Sequence, residues 1–145
     1  MKDTKARYII GIDPGTHTGL AMWDREEKKL VYAHSIAIHK AIESIQATFK
    51  FEKNDDSEFL FRIEDARLRK WFGESTKGKE QGAGSIKRDC SIWEDFMKDW
   101  GLNYEMVDPK RQTTKLSSEQ FKNLTGWEGK TNEHGRDAAM LVFGY

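Results

Sequence analysis

Tyr8-Ile9-Ile10-Gly11-Ile12-Asp13-Pro14-Gly15-Thr16-His17-Thr18-Gly19-Leu20-Ala21 is the stretch on which the reading of this chain turns. It opens as a short apolar run rich in isoleucine, the pattern of a buried strand. Asp13 breaks the run with a carboxylate, and Pro14-Gly15 makes a turn. Leu20-Ala21-Met22-Trp23 is a second apolar run, so the two pair as a hairpin whose first strand ends on Asp13. A lone carboxylate at a buried strand end is costly without a partner or a cation. The alternative is an aspartate that only closes the turn through its own backbone. Carboxylates elsewhere in the chain decide between the two.

Outward from the hairpin, Lys29 to Ala37 reads as a third strand, completing an antiparallel meander. His39 to Phe51 has helical spacing, with Ala41, Ile42, Ile45 and Phe49 on one broad face. Glu58 to Ala66 follows as a central strand beside the first. If the two run parallel, Glu64 opens on the same sheet edge as Asp13, whereas Asp65 alternates to the other side. Arg67 to Gly84 reads as a basic, glycine-rich loop carrying the pair Trp71-Phe72, either gripping a nucleic-acid backbone or simply solvated.

Ser85 then caps a helix running to Trp100, stopped by Gly101. Ile86, Cys90, Trp93, Met97 and Trp100 form its core stripe. Ile92 and Phe96 widen that stripe, leaving room for a partner helix besides core packing. Leu102 to Val107 is a fifth strand, joined to the fourth by a helical crossover. Lys110 to Lys115 is basic and rich in hydroxyls, a phosphate-contacting pattern. Ser117 and Gln120 make a capping box for a short helix ending near Thr125-Gly126. The closing helix runs from His134 to Phe143, capped by Asn132 or Thr131, and places His134 and Asp137 on one face. Gly135, Ala138 and Ala139 are small enough to let this helix approach a sheet closely.

The 145 residues suit one domain, 1–145, with a single core. With 37% hydrophobic and 33% charged residues the composition is that of a soluble protein, and no stretch reaches the roughly 18–20 apolar residues of a membrane span. The charged start leads straight into a strand, which is not the layout of a signal peptide. Lone Cys90 suits a reducing compartment and a packing role, so the expected location is cytoplasmic. Twenty-four basic and 24 acidic side chains give a formal net charge of zero, so any attraction to nucleic acid must be local.

Asp13, Glu64, His134 and Asp137 come from two strand ends and a helix start. Three carboxylates and one imidazole make a hard, oxygen-rich donor set that suits Mg²⁺ or Mn²⁺ on phosphate oxygens rather than structural zinc. Two ions about 4 Å apart can activate a water and stabilise a leaving oxygen. In that scheme Asp13 bridges the ions, with Glu64 on one and His134 and Asp137 on the other.

These residues give the chain its resemblance. Gly11-Ile12-Asp13-Pro14-Gly15 with Thr18-Gly19, then Glu64, then His134-x-x-Asp137-Ala138-Ala139 resemble the RuvC family of Holliday junction resolvases, especially its compact phage and prophage forms. The resemblance implies a ribonuclease H-like α/β fold: a mixed five-stranded sheet with an antiparallel opening meander and flanking helices. It implies a homodimer that cuts four-way DNA junctions by paired nicks, leaving 5′-phosphate and 3′-hydroxyl ends. By the same resemblance Asp13, Glu64, His134 and Asp137 are catalytic metal ligands, and the helix from Ser85 lies in the dimer region. Arg67, Arg69, Lys70, Trp71, Lys77, Lys79, Lys87 and Arg88, with Lys110, Arg111, Lys115 and Lys122, then lie against DNA. The position three beyond the strand glutamate, often aromatic in the family, is Arg67 here.

Other readings are a nuclease of the same fold acting on flaps, other branched DNA or RNA, and a non-catalytic DNA-binding module. Gly-Ile-Asp-x-Gly-Thr also resembles the opening of sugar kinases and actin-like ATPases, but those need two such domains. The spacing of a dinucleotide fingerprint is missing.

Overall fold

The computed structural model describes residues 5–51, 58–68, 77–109 and 115–145, and for 50, 51 and 77–83 only the backbone. Three strands open the chain: β1 (Tyr8–Asp13), β2 (His17–Asp24) and β3 (Lys29–Ala37). Helix α1 (Ile38–Phe51) leads on to β4 (Phe59–Glu64), and a single 3₁₀ turn, Ala66–Leu68, follows it. Helix α2 (Lys77–Asp99), strand β5 (Tyr104–Val107), and helices α3 (Ser118–Thr125) and α4 (Glu133–Met140) complete the order.

The sheet order is β3-β2-β1-β4-β5. The meander β1-β2-β3 is antiparallel, whereas β4 runs parallel to both β1 and β5. This is the mixed sheet expected from the sequence.

Alternation along the strands divides the core in two. Ile10 and Ile12 of β1, with Phe59, Phe61 and Ile63 of β4, face α1 and α2, where Ala41, Ile45, Trp93, Phe96 and Met97 meet them. Ile9 of β1 and Ala21, Trp23 and Leu30 face the other way, against Phe121 of α3 and Ala138, Ala139 and Val142 at and beyond α4. Parity puts Gly11 and Asp13 of β1, and Arg62 and Glu64 of β4, on this second face.

Helix α4 is seated on that face almost backbone to backbone. A Cβ on Gly11 would lie 2.2 Å from the Ala138 carbonyl oxygen, and one on Gly19 only 2.0 Å from that of His134. Both ends of the helix are tied down. At its start Asn132 caps it, accepting from the Gly135 N–H at 2.9 Å and bonding Ser35 of β3. At its end, buried Arg62 donates to the Leu141 carbonyl at 2.8 Å, pairs with Glu105 of β5 and lies over the Tyr145 ring.

Two expectations need correction. Helix α2 begins at Lys77, not at Ser85, so part of the expected basic loop is helical and Ser85 is inside the helix rather than its cap. Glycines at 78, 82 and 84 argue locally against a helix, and the helix runs through them, since propensity is a weak prior. Its buried stripe is Cys90, Trp93, Phe96 and Met97; Ile86, expected in the core, is 42% exposed, as is Ile92 at 40%. By contrast the Ser117–Gln120 capping box and the Asn132 cap are both formed, and Cys90 is buried in packing, as expected.

The seating of α4 has a mutational signature. Gly11→Ala forces the helix off the sheet and destabilises the protein by about 1–3 kcal/mol, the usual range for overpacking. Gly84→Ala in α2, where nothing lies within 4 Å of the new methyl, stabilises by roughly 0.5–1 kcal/mol through helix propensity. Urea unfolding of the two variants checks the contrast; equal effects would contradict it.

Candidate active site

Strand register builds the site. Ile12 of β1 pairs with Ile63 of β4, so one residue further Asp13 and Glu64 end neighbouring parallel strands. The turn after Asp13 is closed by Thr18, whose fully buried hydroxyl donates to the Gly15 carbonyl at 2.8 Å. The Asp13 side chain is therefore not needed as a turn closer. Instead its Oδ2 lies 3.4 Å from Nδ1 of His134, at the start of α4. One turn along that helix, Asp137 faces the same edge.

Electrostatics report the convergence. Burial pushes the Asp13 carboxyl up to about 8, and the charges of Glu64, Asp137 and Glu133 push the same way, against Lys115. Asp137 is also raised, first by burial and then by Glu133, again opposed by Lys115. Like charges are thus gathered in a half-dry place, and Asp13 and Asp137 resist ionisation there, whereas the bond from Lys115 holds the Glu133 carboxyl below its ordinary value. Among the described residues no three His, Cys, Asp or Glu side chains stand close enough to hold a metal ion as they are. The donor set nevertheless fits one: oxygens from Asp13, Glu64 and Asp137 and a nitrogen from His134 are hard ligands, and a dication would relieve their repulsion.

Two site residues were not singled out from the sequence as such. Glu133, first residue of α4, adds a fourth carboxylate; the only signal was an acid in the first turn of a helix. Lys115, expected on DNA phosphates, bonds the Glu133 carboxylate and stands 3.9 Å from Asp137 Oδ2.

Of the expected DNA-facing residues, those described differ in their surroundings. Arg67 is committed within the chain: it donates to both Asp65 oxygens at 2.8 Å, to Glu94 at 2.9 Å and to Ser91 at 3.2 Å. That network fastens the turn after β4 to α2 and accounts for Asp65, which is buried and whose carboxyl its bonds to Arg67 hold below the usual range against the pull of burial. Arg88 is largely exposed beside Asp89, and Lys122 is exposed on α3. Lys87 is half-buried on α2. Lys77 and Lys79 are in the first turn of α2, described only as backbone. Arg69, Lys70, Trp71, Lys110 and Arg111 lie outside the described residues.

The same architecture occurs in a solved structure of T. thermophilus RuvC in complex with a Holliday junction substrate. The TM-score is 0.57 at 16% sequence identity, over 94% of this chain and 90% of that one. The chain has a RuvC-like, ribonuclease H-like fold. At that identity the likeness is one of fold, and function has to be argued from the site. No protein-family model and no curated protein sequence matches the chain.

The raised Asp13 carboxyl sets a pH dependence. An unfolded aspartate ionises near 3.8, whereas the folded one holds its proton to about 8. Folding takes up a proton across that window, so metal-free stability falls as pH climbs from about 4 to about 8. Asp13→Asn removes this loss and raises the melting temperature at pH 8 by roughly 3–10 °C, with little gain at pH 4. Melting curves in EDTA at the two pH values measure it, and a gain independent of pH would contradict the assignment.

Proposed function

We propose that this chain is a metal-dependent endodeoxyribonuclease that resolves four-way DNA junctions by paired phosphodiester hydrolysis. The observation that supports this most is the gathering of Asp13, Glu64, His134 and Asp137 at one sheet edge, on a fold also found in a junction-bound RuvC structure. Asp13, Glu64, His134 and Asp137 would hold Mg²⁺ or Mn²⁺, two ions per site. Such ions, when bound, supply Lewis acidity toward phosphate oxygens and a water activated at neutral pH.

The chain's own part is positioning. Asp13 is fixed by the β1–β4 register, and the seating of α4 brings His134 and Asp137 over it. In the reaction a water oxygen bonds to phosphorus and the P–O3′ bond breaks. The 3′ oxygen takes a proton, and the phosphate stays on the 5′ oxygen of the downstream fragment. Basic residues on α2, in 110–115 and on α3 place the DNA backbone through charge. Two symmetric cuts require two such sites, so the acting form is a homodimer, for which α2 is the proposed contact. The proposed setting is the bacterial cytoplasm; among the described residues no helix is long and apolar enough to cross a membrane.

A labelled immobile four-way junction, a matched linear duplex and a flap, each with Mg²⁺, Mn²⁺ or EDTA, test the proposal. Paired symmetric nicks confined to the junction and dependent on the ion are expected. Asp13→Asn loses cleavage while junction binding is kept or tightened, because one negative charge near phosphate is gone. Equal cutting of flap or duplex would replace the junction by another branched substrate, and tight binding without cutting would leave a non-catalytic module.

A further inference from the structure

Lys115 reaches the carboxylate cluster from outside the elements that carry the acids. Its ammonium bonds Glu133 and stands 3.9 Å from Asp137 Oδ2. The segment that brings it there is anchored. Arg136 of α4 donates to the carbonyl of the next residue, Leu116, at 2.9 Å, and also to Ser118 and Thr131, each at 3.0 Å. The Leu116 side chain packs on the core beneath α4. The backbone beside Lys115 is thus held to the same helix that carries His134 and Asp137, while the Lys115 side chain itself stays 67% exposed.

The geometry points to Lys115 as a built-in counter-cation of this site, which a divalent ion must displace. The inference rests on the metal-binding reading above and adds a regulation to it. Without an ion, Lys115 offsets the repulsion among Asp13, Glu133 and Asp137. An arriving dication competes for the same oxygens and evicts the ammonium. An exposed ion pair is held weakly, so eviction is cheap and the lysine tunes the site rather than closing it. The ammonium released from Asp137 stays tethered by Leu116 beside the cluster, where a DNA phosphate is its next available anion.

Mn²⁺ binding to the intact protein, followed by the electron paramagnetic resonance of the free ion, separates the possibilities. Lys115→Met and Lys115→Gln are expected to bind Mn²⁺ roughly two- to fivefold more tightly than the parent. Lys115→Arg, which keeps the charge, is expected to stay at the parent affinity. Parent-like or weaker binding by both neutral variants would overturn the competition while leaving the metal site in place. Absence of Mn²⁺ uptake by the parent would instead overturn the metal reading, and the counter-cation with it.

Discussion

Everything distinctive in this molecule depends on how closely one short helix lies on the sheet. Backbone meets backbone where α4 crosses β1 and β2, with the His134 carbonyl in the space a side chain at position 19 would fill. Only glycine at Gly11 and Gly19, with small residues at Gly135, Ala138 and Ala139, permits that distance. The same close approach brings His134 to Asp13 and sets Asp137 beside it. Arg62, Asn132 and Arg136 then hold the helix at both ends and along its length. A helix seated one side chain higher would leave the same fold with the acids out of each other's reach.

This arrangement costs stability at the site proposed for metal binding. A carboxylate that is both dry and surrounded by like charge raises the free energy of the folded state at neutral pH, and Asp13 is such a group. Perturbed carboxylates cluster at working sites because the work requires charge that the fold does not neutralise by itself. Asp65 is the contrast: one residue past Glu64 and more fully buried from solvent than Asp13, it is satisfied by Arg67. Two adjacent acids thus divide between structure and site according to which face of β4 each follows.

Local chemistry made much of this legible in the sequence. Period-two alternation placed Asp13 and Glu64 at strand ends, and the Ser117 and Asn132 caps follow from side chains within three residues of the groups they satisfy. What escaped the sequence is long-range. Arg67 read as a surface cation although Asp65 is only two residues away, because Ser91 and Glu94, which complete its network, are 24 and 27 residues on, on a helix whose start was itself misplaced by its glycines. Glu133 and Lys115 are separated by 18 residues and meet only once Arg136 has folded the intervening helix back on α4. Ile86 fitted a core period but falls where α2 has left the sheet, and periodicity alone does not say how far a helix stays packed.

The central claim is that close seating of α4 makes a divalent-cation site from Asp13, Glu64, His134 and Asp137. Anomalous diffraction from crystals soaked in Mn²⁺ tests it most directly. The account predicts Mn²⁺ peaks at that sheet edge, with Asp13 a ligand and the Lys115 ammonium withdrawn from Asp137. Mn²⁺ bound elsewhere on the protein, with Asp13 still turned to His134 alone, would contradict it.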